Sequence, residues 1–221
     1  MTDAAKRRAY LLYQQALSLI YPRVTCAACG AGGKLENGLC ADCRDALAYA
    51  PPGSPGVLLY EDTGAALLRQ LKFHGERDIA LWLGAQLIHR LPDGPWDALV
   101  PAPLSRKSRR ARGYNQARAI ALAIWLNGGP PVLDALQKTR ETAQQARLSR
   151  AQRAENVRGA YAACRSVAGR SLLVIDDIYT TGATAGACIE ALLAAGARRA
   201  GAFCAAYTPP PQDEIHAIDA T

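Results

Sequence analysis

Leu172-Leu173-Val174-Ile175 is a run of four large aliphatic residues with no polar alternation. A strand reads this way when both of its faces are covered, the condition inside a parallel sheet with helices on either side. Two acids follow at once, then a Thr-Thr-Gly turn, then an Ala-rich stretch over residues 183–195 that has helical character and stops at Gly196. Residues 202–207 read as a further strand. Upstream, 57–60 and 98–100 read as short strands, and 64–73, 79–89 and 114–126 read as helices. Strands that alternate with helices argue for an α/β fold with a mostly parallel sheet flanked by helices.

The segment Asp176-Asp177-Ile178-Tyr179-Thr180-Thr181-Gly182-Ala183-Thr184 carries more polar chemistry than a helix cap needs. One Ser, Thr, Asp or Asn is enough to cap a helix. Two acids, three threonines and a glycine within nine positions suit a ligand instead. The unpaired N–H groups at a helix start, with the helix dipole, attract an anion. Thr180, Thr181 and Thr184 add hydroxyl donors, and Gly182 lets the backbone approach closely. Asp176 and Asp177 are acceptors for sugar hydroxyls and would repel a phosphate, so they are expected to face the sugar. A Walker loop is excluded, because no Gly-Lys-Ser/Thr is present. A dinucleotide loop is disfavoured, because the acids precede the glycine and the G-x-G-x-x-G pattern is missing.

Four of the seven cysteines form two CxxC pairs, Cys26/Cys29 and Cys40/Cys43, ten residues apart. That spacing can set four thiolates around one ion at ~2.3 Å, so a structural zinc site is expected. With four protein ligands no position stays open for catalysis. A redox pair is disfavoured because the pairs are duplicated and no βαβ unit surrounds them. Cys164, Cys188 and Cys204 read as small buried hydrophobes.

The formal net charge is +7, and it is concentrated. Between Leu104 and Arg158 stand twelve basic residues and three acids. Such a field points to a polyanionic ligand. No stretch approaches the ~20 apolar residues that a membrane helix needs. The first residues show no secretory signal, so a cytoplasmic protein without membrane insertion is expected.

Several motifs together resemble one family. Leu172 to Thr184 is similar to the phosphoribosyl-pyrophosphate loop of type I phosphoribosyltransferases. The cysteine pairs, Leu71-Lys72-Phe73, Val100-Pro101-Ala102-Pro103-Leu104, Arg112-Gly113-Tyr114-Asn115-Gln116, Arg140-x-Thr142-x-x-Gln145-x-x-Leu148 and Arg153-x-x-Asn156-Val157-x-Gly159-Ala160-Tyr161 resemble the ComF family of competence-associated proteins. Apolar residues at Tyr10, Tyr13, Leu17 and Ile20 read as an N-terminal helix within 1–22, and the Pro-rich, polar tail over 209–221 is expected to be disordered; between them the resemblance implies a zinc ribbon over 23–50 and a phosphoribosyltransferase-like domain over 51–208. It implies that Asp176 and Asp177 are catalytic and that Thr180, Thr181, Gly182, Ala183 and Thr184 hold the phosphoribosyl group. Arg106, Lys107, Arg109, Arg110 and Arg112 would hold the diphosphate, with Mg²⁺ bridging the diphosphate and the ribose hydroxyls. Residues 138–158 would form a hood. Where purine-salvage relatives carry an acid, this chain has Thr180, which sets it apart from purine salvage and leaves no evident general base, so proton transfer would fall to the substrate or to the hood. Lys72 and His74 are weaker ligand candidates. The implied activity is phosphoribosyl transfer to an unidentified acceptor. The alternative is a non-catalytic nucleotide or single-stranded DNA binder that acts with a helicase-like ATPase in DNA uptake, with Tyr114 and Tyr161 as candidates for base stacking.

Overall fold

The computed structural model describes residues 3–20, 23–36, 38–74, 77–142 and 150–209. The hood residues 143–149 and the tail from 210 lie outside the described set, as do the side chains of Phe73 and His74.

Four strands form one parallel sheet: β1 (Gly56–Leu59), β2 (Ala98–Pro101), β5 (Ser171–Tyr179) and β6 (Arg199–Tyr207), in the order β1-β6-β5-β2. Val100 pairs with Val174, Val174 with Ala202, and Leu58 with Ala206. The side chains of β5 alternate between two apolar layers. Leu173 and Ile175 pack among Leu67, Leu71, Leu83, Leu99, Ile120 and Ile124. These come chiefly from α3 (Asp62–His74), α4 (Arg77–Leu87) and α6 (Gln116–Leu126). Leu172 and Val174 pack on the opposite face, against Cys188 and Leu192 of α8 (Ala183–Ala194) and Val157 of α7 (Arg150–Val157). Burial on both faces accounts for the unbroken apolar run.

α4 and α6 cross closely at Gly84. A Cβ there would lie 2.5 Å from the carbonyl carbon of Ala123, so no larger residue fits. The four-cysteine module, with the short α2 (Ala41–Asp45), is tied to the same apolar layer. Cys26, Leu39, Cys43 and Leu47 belong to the cluster that contains Leu71 and Leu83. The Pro-Gly segment after it is a tight reverse turn: Ala50 N–H donates to Val57 C=O at 2.8 Å, and Leu59 N–H to Ala48 C=O at 2.8 Å. α1 (Asp3–Ile20) is anchored by Arg7, which donates to Gly129 C=O at 2.9 Å and stacks over Trp125.

Three elements differ from the sequence expectation. β5 continues through the two acids to Tyr179, because β6 runs alongside and pairs Asp176 with Cys204 and Ile178 with Ala206. The basic segment after β2 is a helix, α5 (Arg106–Arg112), capped by Ser105 and closed by Gly113 at φ 76°. A small antiparallel pair, β3 (Leu136–Lys138) with β4 (Tyr161–Ala163), sits beside α8. Cys188 and Cys204 are buried, whereas Cys164 is exposed. Cys164 follows β4, where its thiol points out to Asp134 C=O at 3.6 Å.

Candidate functional site

β2 and β5 are neighbours and run parallel, so the segments that follow them emerge on one edge of the sheet. Ala102 N–H donates to Ile175 C=O at 2.9 Å, which sets the start of the basic segment level with the first acid. In open α/β sheets such a carboxyl edge is where ligands bind.

The turn after β5 is short. Thr180 is exposed, while Thr181, Gly182, Ala183 and Thr184 are half-buried. Gly182 caps α8 with φ 75°, the left-handed region. Thr181 Oγ1 accepts from Ala183 N–H at 3.4 Å. Thr184 shares a side-chain hydrogen bond with the Tyr161 phenol, tying the β4 strand to the start of α8. A small hollow of about 20 Å³ lies among Asp176, Ile178, Tyr179, Thr180, Gly182, Ala183 and Thr184.

The two carboxylates differ in surroundings. Asp176 Oδ1 accepts from Asp177 N–H and Asp177 Oδ1 from Ile178 N–H, both at 2.9 Å. Burial, and then the Asp177 charge, push the Asp176 carboxyl well above the usual carboxylate range. Burial first, and then the charge of Asp177, raise the Tyr114 phenol to about 12. The Tyr114 hydroxyl is buried and has no partner among the described residues.

A cleft of about 1140 Å³ opens beside this edge. Its basic wall holds Arg106, Arg109, Arg112, Arg118 and Lys138, and its apolar wall includes Leu81, Leu122 and Leu126. Of the five basic residues expected at a diphosphate, Arg106, Arg109 and Arg112 line the cleft, because positions three apart share a helix face. Lys107 and Arg110 lie off that wall and are exposed. Arg118, counted only in the basic field, and Lys138, the first residue of the expected hood, join the wall as well. Arg118 pairs with Asp134 at 3.1 Å. Lys138 Nζ donates to Thr142 Oγ1 at 2.7 Å and sits 5.5 Å over the Tyr161 ring. Burial lowers its ammonium pKa. Tyr161 is only 8% exposed and covered by Lys138, so it is not a free stacking surface. Asn115 braces the cleft through Ala102 C=O at 2.9 Å, and Gln116 through Lys72 C=O at 3.1 Å.

The sulfurs of Cys26, Cys29, Cys40 and Cys43 all lie within 4.8 Å of one another. Cys29 and Cys40 Sγ are 3.8 Å apart, and tetrahedral thiolates at ~2.3 Å from one ion would be about 3.8 Å apart. Burial works against a thiolate at Cys26, but the backbone N–H groups of Cys29, Cys40 and Ala28 bring its pKa down to about 6. The four cysteines can therefore hold a metal ion such as zinc.

No family model matches the chain. It is 31% identical over 173 residues to the DNA utilization protein YhgH of Escherichia coli (strain K12), covering 72% of this chain and 69% of that protein. It is 27% identical over 170 residues to the competence protein ComFC of Bacillus subtilis (strain 168), covering 72% and 67%. Among solved structures, a glutamine phosphoribosylpyrophosphate amidotransferase from B. subtilis matches 61% of this chain and 30% of its own, with 18% identity and a TM-score of 0.41. A hypoxanthine phosphoribosyltransferase from Staphylococcus aureus matches 61% and 74%, with 15% identity and a TM-score of 0.34. Among the described residues no helix is long and apolar enough to cross a membrane.

Proposed function

The chain belongs to the ComF family, the family of the competence and DNA utilization proteins it matches, and on that premise we propose that it binds phosphoribosyl pyrophosphate and transfers the phosphoribosyl group to an acceptor during DNA utilization. One observation carries this reading: an acidic pair and a Thr-Thr-Gly turn end one strand, and an arginine face follows its parallel neighbour. A ligand with a sugar between two anionic groups matches that order of charge.

In this reading Thr180, Thr181, Gly182, Ala183 and Thr184 cradle the 5′-phosphate at the start of α8. Asp176 and Asp177 accept from the ribose hydroxyls. Arg106, Arg109 and Arg112 stabilise the departing diphosphate, with Lys107 and Arg110 extending the field outward. Mg²⁺, when bound, neutralises diphosphate charge through ligand and water oxygens, which suits a site without a carboxylate cage. Zinc at Cys26, Cys29, Cys40 and Cys43 holds the N-terminal module together.

Calorimetric titration of phosphoribosyl pyrophosphate with Mg²⁺ tests the reading. Saturable binding is expected, and Asp177→Ala should weaken it about 10–100-fold, the scale of a lost hydrogen bond to a charged group. No binding in the wild-type protein would overturn it. A second reading, single-stranded DNA binding beside a helicase-like ATPase, is favoured by the outward cations Lys107 and Arg110. Neutralising both should lower the salt slope of strand affinity by about 1.4.

A further inference from the structure

The phosphoribosyl reading leaves one proton without a destination. An N–H or O–H acceptor that bonds to the sugar must lose it. The threonines and backbone of the turn cannot take it near neutral pH, and Asp176 and Asp177 are engaged with the ribose in that reading.

Titratable groups on the cleft wall narrow the choice. Arg106, Arg109, Arg112 and Arg118 are cations that do not deprotonate in proteins. Asp134 is paired with Arg118. Tyr10 and Tyr114 contribute phenols, which are weak bases when neutral, and burial holds that of Tyr114 neutral. Lys138 is the one amine among the described residues that line the cleft. It stands on β3, directly opposite Tyr161 of β4, and Thr142 fixes its Nζ at 2.7 Å.

We infer that Lys138 is the base that takes the acceptor's proton in phosphoribosyl transfer, an assignment that rests on the reading above. The acceptor's nucleophilic atom bonds to the anomeric carbon as the bond from that carbon to the diphosphate oxygen breaks. The bonding pair leaves with the diphosphate, and the acceptor proton passes to the uncharged Lys138 amine. With water as acceptor the products are ribose 5-phosphate and diphosphate.

The surroundings suit the role. Burial favours the uncharged amine, and so does Arg140 in the loop after β3. Glu141 in that loop, Asp176 of β5 and Cys188 of α8 act the other way. Tyr161 packs its ring beneath the Nζ. The balance lies toward the uncharged form relative to an exposed lysine. The Tyr161 phenol shares a hydrogen bond with Thr184, which sets Lys138 close to the turn after β5.

The test compares wild-type, Lys138→Arg and Lys138→Met proteins with phosphoribosyl pyrophosphate and Mg²⁺, reading affinity by calorimetry and diphosphate release across pH with water and a nucleobase panel as acceptors. Arg retains a long cationic side chain with donors, stays protonated at every pH used, and cannot act as a base. Lys138→Arg should bind within about threefold of wild type, release diphosphate ~100-fold or more slowly, and lose the rise in rate with pH that the amine produces. Pulse labelling with acetic anhydride should show Lys138 titrating below an ordinary exposed lysine, and protected by phosphoribosyl pyrophosphate. Release by Lys138→Arg at the wild-type rate and pH profile overturns the inference. Wild-type binding without any release overturns it too and leaves the binding reading standing. An absence of wild-type binding removes both. If Lys138→Arg does not fold, Lys138→Met and the labelling experiment decide: a labelling profile equal to that of an ordinary exposed lysine overturns the assignment.

Discussion

Gly182→Ala probes the turn that the functional reading depends on. Gly182 has φ 75°, and an alanine held there costs about 1–2 kcal/mol. Its methyl would also meet the Tyr179 ring, 2.7 Å from Cζ and 3.3 Å from Cε2. That ring has little room to turn, because it packs against Tyr207 with centroids 6.2 Å apart. Crowding of this kind adds about 1–3 kcal/mol, so the expected total is about 2–4 kcal/mol. At an m-value of about 2 kcal/mol/M, the urea midpoint should fall by about 1 M or more, with m unchanged. The two contributions separate in a double-mutant cycle. In a Tyr179→Ala background the same change should cost only the backbone share, about 1–2 kcal/mol. An equal cost in both backgrounds would show that Tyr179 does not crowd the turn. A cost under about 0.5 kcal/mol in the wild-type background would refute the left-handed cap itself.

If the four cysteines hold zinc, its removal by chelator or by Cys29→Ser should lower the thermal midpoint of the whole domain in a single transition, because Cys26 and Cys43 share an apolar cluster with Leu71 and Leu83. A separate low-temperature step would show the module to be independent. Asp176→Asn should stabilise the protein at pH 7. The native carboxyl titrates above its unfolded value, so its ionisation costs stability as pH rises between the two values. The advantage should vanish below about pH 4, where the carboxyl is neutral in both states, as read from urea midpoints across pH. Tyr114→Phe should leave stability equal or higher, since it removes a buried hydroxyl without a partner among the described residues. A loss of more than about 1 kcal/mol would reveal a hidden partner.

Much of this architecture is legible in the chain, and the exceptions share a cause. Leu172 to Ile175 announces a strand covered on both faces, and Gly182 marks where α8 begins, while α6 starts two residues later than its apolar spacing suggests because Asn115 caps it. These signals are local. The end of β5 is not, because Asp176 to Tyr179 stay extended only through pairing with Cys204 to Tyr207 of a later strand. α5 escapes a hydrophobic reading because its seven residues are Arg, Lys, Ser and one Ala, so no apolar stripe exists to detect. Its cap, Ser105, and its stop, Gly113, are the signals that were available.

The same distinction separates the expected site from the observed one. Counting charge along the chain gathers Arg106 to Arg112 as one group, yet helical geometry turns Arg106, Arg109 and Arg112 to the cleft and Lys107 and Arg110 away from its wall. Lys138 stands 26 positions after Arg112 and enters the wall only because β3 pairs with β4 beside α8. A linear motif can name the phosphate turn, since all its parts are adjacent. The base cannot be named that way. Burial does most to favour its uncharged form, and that burial exists only in the folded arrangement, where Tyr161 of β4 packs 5.5 Å from the amine.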